Sequence, residues 1–272
     1  MAILLVSVHS GNTQPYIDLL NTRVMSSPST FTTNPSNTHS LQYFNVSTNL
    51  PVRFKKSKSI LLLSPFVDRW IMPSTFTENK LRLTSVALPM TAIIPTGNDW
   101  KLATTIIVRV NDSMPSSHGQ IQWGGAFFGI KKMSETVELR FGMYVNSELF
   151  GLFIVPLAGI DWKINERSNL FGLLPGSLTY EYRLNKSSFT GFAFRTSTNS
   201  YGVHEKYYRI DENQLGAYYD FYVSKNLVIN GEVGHSILRK IRTGDYHQKG
   251  VKLEVKDAWY LKASIAYRLR LR

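Results

Sequence analysis

Six stretches of this chain place an apolar or β-branched residue at every second position and polar residues between. Phe44, Val46, Thr48, Leu50, Val52 and Phe54 alternate with Asn45, Ser47, Asn49 and Arg53. The pattern returns at Trp100 to Val110, Val137 to Val145, Leu178 to Leu184, Leu215 to Val223 and Leu261 to Leu271. In the last, Leu261, Ala263, Ile265, Tyr267 and Leu269 oppose Lys262, Ser264, Arg268 and Arg270. A period of two sends successive side chains to opposite faces, so each stretch is a one-sided strand, and no stretch reads as a helix. Strands of soluble proteins average about 5 to 6 residues, and several of these run to ten or more. A strand crossing a bilayer at about 45° needs about 9 to 11 residues.

Alternation alone leaves open which face is outside, because a soluble barrel with an apolar interior carries the same period. Connection lengths bear on the choice. Tight polar turns are expected at Lys55 to Lys58, Thr96 to Asn98, Lys131 to Ser134, Asn165 to Ser168, Asn185 to Ser188 and Ser224 to Asn226. Longer connections are expected at Ser26 to Thr38, Pro73 to Asn79, Asn111 to Gly119, Asn146 to Phe150, Ser197 to Asn213 and Arg239 to Lys256. Short and long largely take turns, as in an up-and-down outer-membrane barrel, and both termini fall on the short-turn side, so the strand number is even. Asn169 to Leu184 lies between two short turns. Folded out and back over Leu174-Pro175-Gly176 it gives about 14 strands; as one strand plus an irregular segment it gives about 12.

Composition narrows the alternatives. With 43% hydrophobic and 18% charged residues the chain is too apolar for disorder, and without cysteine it has no disulfide, thiolate metal site or cysteine nucleophile. Thirty-one Lys and Arg against 19 Asp and Glu leave a net charge of +12. The longest apolar candidate, Gly151 to Ile160, contains Pro156 and is far short of the ~18 residues of a spanning helix. Ala2 to Val6 is shorter than the ~7 to 15 residues of a secretory apolar region. Residues 1–16 are therefore read as an N-terminal segment, the remnant of a trimmed export signal, and 17–272 as one barrel domain.

Two segments carry a resemblance: Phe153-Ile154-Val155-Pro156-Leu157-Ala158-Gly159-Ile160-Asp161-Trp162-Lys163-Ile164-Asn165, and Leu173-Leu174-Pro175-Gly176-Ser177-Leu178-Thr179-Tyr180-Glu181-Tyr182. From about Leu41 to Arg272 the chain resembles an outer-membrane β-barrel family of Gram-negative, Bacteroidetes-type bacteria, a domain of unknown function. The resemblance implies an all-β transmembrane barrel in the bacterial outer membrane, membrane lipid as its surroundings and insertion by the barrel assembly machinery. It carries no catalytic or ligand residue across.

Motifs for chemistry are sparse. The six histidines, His9, His39, His118, His204, His235 and His247, form no HExxH pair and have no carboxylate at ligand spacing, so neither metal nor cofactor is expected. His235 and Ser236 suggest a nucleophile and base, but neighbours in a strand point to opposite faces. Gly124-Gly125-Ala126-Phe127-Phe128-Gly129 lacks the spacing of a dinucleotide loop. No basic helix supports nucleic-acid binding. The polar faces carry Asp99, Lys101 and Arg109, Glu138 and Arg140, Glu181 and Arg183, Asp220, Glu232, Arg268 and Arg270. In a membrane barrel these charges face the lumen, either as ion pairs across neighbouring strands or as the lining of a channel that an excess of cations would bias toward anions. The expectation is a single antiparallel barrel of about 12 to 14 strands, a pore or structural envelope protein and no enzyme. A lipid-acting barrel enzyme and a soluble barrel binding an apolar ligand are the alternatives.

Overall fold

The computed structural model describes residues 15–30, 38–73, 80–112, 121–203, 205–253 and 255–271. The expected N-terminal remnant lies almost wholly outside them. The described residues form eighteen strands and no helix. In chain order these are β1 (Tyr16–Thr30), β2 (Thr38–Thr48), β3 (Leu50–Arg53), β4 (Ile60–Leu63), β5 (Phe66–Pro73), β6 (Lys80–Gly97), β7 (Trp100–Asp112), β8 (Ile121–Lys132) and β9 (Val137–Glu148). They continue with β10 (Gly151–Lys163), β11 (Ser168–Leu174), β12 (Ser177–Arg183), β13 (Ser188–Val203), β14 (Lys206–Tyr222), β15 (Leu227–Ser236), β16 (Lys240–Asp245), β17 (Val251–Leu253) and β18 (Trp259–Arg270).

Four pairs of these are single staves broken once: β2 with β3, β4 with β5, β15 with β16, and β17 with β18. Eighteen strands less four breaks leave fourteen staves. Each pairs antiparallel with the next, and β1 pairs with both β2 and β18, which closes the sheet on itself. The two ends of the described chain meet at the short-turn end, where the Leu271 amide donates to the Pro15 carbonyl at 2.9 Å. The stretch from Asn169 to Leu184 does fold out and back, as β11 and β12 around a tip with a cis Leu174–Pro175 bond.

The apolar face points outward. On β7, Leu102, Ile106 and Val110 are exposed while Ala103, Ile107, Arg109 and Asn111 are buried. On β18, Leu261, Ala263, Ile265 and Tyr267 are exposed while Lys262, Ser264, Ala266 and Arg268 are buried. A soluble protein does not expose a continuous apolar girdle of this extent and bury its charges. The soluble alternative, which needs the apolar face inside, fails on this orientation. Four tryptophans mark the girdle's height: Trp100 and Trp162 outward near the short turns, Trp123 and Trp259 outward toward the other end, with Trp70 inside. Trp123 pairs with Val108, eight residues along β7 from Trp100. That is about 27 Å of strand and, at about 45° of tilt, about 20 Å of height, close to the apolar band of such barrels.

Most of each of the expected connections Ser26 to Thr38, Pro73 to Asn79 and Asn111 to Gly119 lies outside the described residues, but Ser26–Thr30 belongs to β1, Thr38 to β2, Pro73 to β5 and Asn111–Asp112 to β7. Others differ from expectation. Asn146 to Phe150 is no longer connection: β9 runs to Glu148 and β10 starts at Gly151, whose φ of 123° suits a residue without a Cβ. Ser197 to Asn213 is no long loop either, because Ser197–Val203 continue β13 and Lys206–Asn213 belong to β14. The stretch from Arg239 to Lys256 contains β16 and β17. These long strands overrun a short hairpin. β11 ends at Leu174 opposite Ala158, and β12 begins at Ser177 opposite Arg195. Above that level residues 151–157 of β10 pair with β9 alone, and β13 turns inward until Gly202 bridges Asp112 of β7.

Candidate functional site: the barrel interior and a gap in its wall

Three layers fill the interior. Near the short turns the walls meet: the Tyr16 ring of β1 packs edge-on against Phe171 of β11 at 5.5 Å, and Arg270 of β18 donates to Glu181 of β12 at 2.6 Å. Arg268 donates to Asp18 and to Asp220, the latter at 2.6 Å, and lies 3.7 Å over the Tyr16 ring. At mid-height the buried Glu232 carboxylate accepts from Lys262, Arg195 and the Tyr260 hydroxyl, each at 2.7 Å. Toward the far end the inward-turned β13 and β14 bring Tyr201, Tyr208 and Ile210 against Met25, Leu41, Trp70, Met72 and Leu83 of the opposite wall, forming an apolar core inside the barrel. Polar contacts hold that hairpin in place. Glu148 accepts from the backbone amide and hydroxyl of Ser200, Arg109 donates to Asn199 at 2.6 Å, and the Tyr201 hydroxyl donates to Asp68 at 3.3 Å.

Nine of the eleven charges singled out in the sequence are buried or half-buried. Arg109, Glu138, Glu181, Asp220, Glu232 and Arg268 are buried; Lys101, Arg140 and Arg270 are half-buried. All nine are ion-paired: Lys101 with Glu138 at 2.8 Å, Arg140 with Asp161, and Arg109 with Glu148 at 3.5 Å, beside the pairs above. The other two, Asp99 and Arg183, are exposed. Asp99 sits exposed in the turn between β6 and β7 with φ of 62°, and Arg183 is exposed as the last residue of β12. Alternation stops assigning a face where the backbone starts to turn, so both charges lie at the mouth.

Reading the strands one at a time misses the partners. Glu148, Glu212, Arg195 and Arg239 sit in stretches expected to be connections or lacking a clear alternation, yet all four reach the interior network. Ser236 lies fully buried on the inner face, hydrogen-bonded to Glu212 and accepting from Arg239 at 2.7 Å. His235 stacks edge-on against the outward Trp259 at 5.2 Å. The two side chains stand on opposite sides of the wall and form no dyad. Among the described residues no group of His, Asp and Glu is arranged to hold a metal ion.

The wall has a gap beside upper β10. Across the two-residue turn Gly151 pairs with Glu148, so odd-numbered residues of β10 bond to β9 and even-numbered ones direct their N–H and C=O to the other side. β11 takes those groups from Ala158 onward. Over 152–156 no strand among the described residues pairs with them. Pro156 occupies one of these positions and has no N–H to leave unmade, which is how proline is tolerated at a strand edge. On the inner face of the same segment Phe153, Val155 and Leu157 are only half-buried. Arg209 of β14 covers part of it, with its guanidinium 4.1 Å over the Phe150 ring and 5.7 Å over Phe153.

Solved structures similar to the chain at low identity include a FadL homologue, a toluene transporter and a porin. A Pseudomonas aeruginosa FadL homologue aligns over 95% of this chain and 91% of its own at 10% identity, with a TM-score of 0.47. The P. putida toluene transporter TodX aligns over 92% and 88% at 9% identity, TM-score 0.38, and a Rh. blastica porin mutant over 92% and 99% at 7%, TM-score 0.29. No curated protein matches the chain. The family described as Domain of unknown function (DUF6268) matches residues 74–272, well over half of the sequence and from the strand β6 to the closing strand, and the chain belongs to that family.

Proposed function

We propose that the protein is a selective pore of the bacterial outer membrane whose solute path leaves through the side of the barrel. The gap beside β10 carries this reading. The axis is filled at each of three heights by paired charges, meeting aromatic rings or an apolar core, so a straight water-filled route has no continuous polar lining. Charges satisfied in pairs also leave little field to sort ions along the axis. The side gap is different: its inner surface is apolar, with Phe153, Val155 and Leu157, and it opens at the level of the lipid-facing girdle, between the outward Leu152 and Ile154. Small apolar or amphipathic solutes suit such a path, because they lose little on passing between that surface and acyl chains.

The chain has no cysteine, so the path can be probed with single ones. Val155→Cys faces the gap, while Ala87→Cys lies buried on the inner face of a fully paired stretch of wall. In vesicles, a lipophilic maleimide dissolved in the bilayer is expected to label Val155→Cys and to spare Ala87→Cys. If both stay unlabelled the wall is sealed and the lateral path is wrong.

A further inference from the structure

We propose that the outer wall carries a binding site for one anionic phospholipid, on the five staves around the closing seam. Cross-strand register lays the outward side chains of β18, β1, β2, β5 and β6 in rows. One row runs Ala263, Val24, Phe44, Arg69 and Thr84; the next row up runs Leu261, Ser26, Gln42, Ile71 and Arg82. Both arginines are outward and exposed, in positions where the strand period otherwise places apolar residues such as Val67 and Val86. Between the rows lies a groove of about 450 Å³, floored by Val24, Phe44, Ile71, Leu261 and Ala263 and walled at one end by Arg69. The small side chains of Ser26 and Ala263 make its depth.

Height and charge identify the occupant. Trp259 stands on β18 one row above Leu261, outward and exposed, where interfacial tryptophans mark the headgroup level. The row below the groove, Ile265, Thr22, Val46, Val67 and Val86, is almost wholly apolar. The groove therefore spans the boundary between acyl chains and headgroups. Arg69 uses Nε to donate to the Thr84 hydroxyl at 3.0 Å, which fixes the guanidinium and leaves its two terminal nitrogens without a protein partner among the described residues. Arg82 has no ion pair or side-chain hydrogen bond there. Two guanidiniums facing lipid at this level, with no carboxylate opposite among the described residues, complement an anion that the membrane itself supplies. Gln42 and the hydrogen-bonded hydroxyls of Ser26 and Ser40 (3.2 Å) offer donors and acceptors to the esters next to that phosphate. An acyl chain fits the floor and a phosphodiester fits the rim.

This inference rests on the outward face being the lipid face. The test is tryptophan quenching by brominated lipid in the full-length protein, folded into phosphatidylcholine vesicles that contain a minor fraction of phosphatidylglycerol, with the bromine on one lipid or the other. With the other outward tryptophans removed as Trp100→Phe, Trp123→Phe and Trp162→Phe in every protein compared, Trp259 reports from beside the groove. Wild type is expected to favour phosphatidylglycerol over phosphatidylcholine, by about five-fold for each arginine near the surface. The double variant Arg69→Gln/Arg82→Gln, whose folding is checked by its gel mobility before heating, is expected to lose that preference. Equal quenching by the two lipids in wild type overturns the proposal, as does a preference that survives in the double variant. A preference abolished by inorganic phosphate shows a site for the free ion and overturns the lipid. No quenching by either lipid would instead sink the membrane reading beneath it.

Discussion

Replacing Glu232 by glutamine should be among the most damaging single changes in the molecule. The carboxylate is buried on the inner face of β15 and accepts three hydrogen bonds of 2.7 Å, from Lys262, Arg195 and Tyr260. The Lys262 side chain is only 4% exposed, and its other partner is the neutral Gln214 carbonyl at 2.8 Å. The amide keeps the shape and removes the charge. It leaves one ammonium and one guanidinium inside the barrel with no counter-charge at contact distance, and breaking a buried pair from one side costs about 3 to 5 kcal/mol. Glu135→Gln is the control: its partner Lys132 is as close, at 2.6 Å, but its side chain is 87% exposed, and such a pair contributes about 0 to 1 kcal/mol. Adding Lys262→Met to Glu232→Gln should restore roughly half of the loss, because the stranded ammonium goes with it. Urea unfolding of vesicle-folded protein, followed by tryptophan fluorescence, measures all three. If Glu232→Gln costs no more than Glu135→Gln, water reaches mid-lumen freely and the filled interior argued above is wrong.

Two further changes test the faces and the ends of the barrel. Ile265→Arg puts a cation on the lipid face of β18 and should cost about 2 to 4 kcal/mol in the same unfolding measurement, while Ser264→Ala on the inner face should cost under about 1 kcal/mol; equal penalties would mean that the faces are misassigned. A peptide tag inserted at Lys249, in the exposed turn between β16 and β17, should be reached by antibody on intact cells, and one at Lys186, in the short turn between β12 and β13, should not; the opposite result reverses the barrel in the membrane.

What could be read from the sequence follows how local its cause is. β18 was legible end to end because one rule, apolar out and polar in, holds from Leu261 to Arg268 without exception apart from Ala266, which packs inside. The inward hairpin was not. Ser197 to Asn213 is rich in Ser, Thr, Asn and Asp and resembles a loop, and it becomes strand because its polar groups find partners far away in the chain. Ser200 meets Glu148, 52 positions earlier, and Tyr201 meets Asp68, 133 positions earlier. No window of sequence contains both ends of such a contact. The partners Glu148 and Arg195 were missed for the same reason. Arg69 and Arg82 did leave a local signal, since each breaks the apolar parity of its own strand, and a cation in that parity is the mark to look for in barrels of this kind.

One departure from regularity accounts for both unusual parts of the interior. β11 and β12 have seven residues each, about half the length of β10, β13 and β14 beside them. Had that hairpin been as tall as its neighbours, upper β13 would have had a strand to pair with on its free side and would have stayed in the wall. Cut short, it releases β13 and β14 to fold inward, where Tyr201, Tyr208 and Ile210 can be buried only by filling the lumen. The same shortening removes the partner of upper β10. Bare backbone groups facing hydrocarbon are costly, so such an edge persists only where it lines a cavity or meets polar groups. Pro156 removes one donor from that edge, and the Arg209 guanidinium reaches its aromatic rim over Phe150 and Phe153. Closing the axis and opening the side are therefore a single structural event, and a barrel that does one by this route is committed to the other.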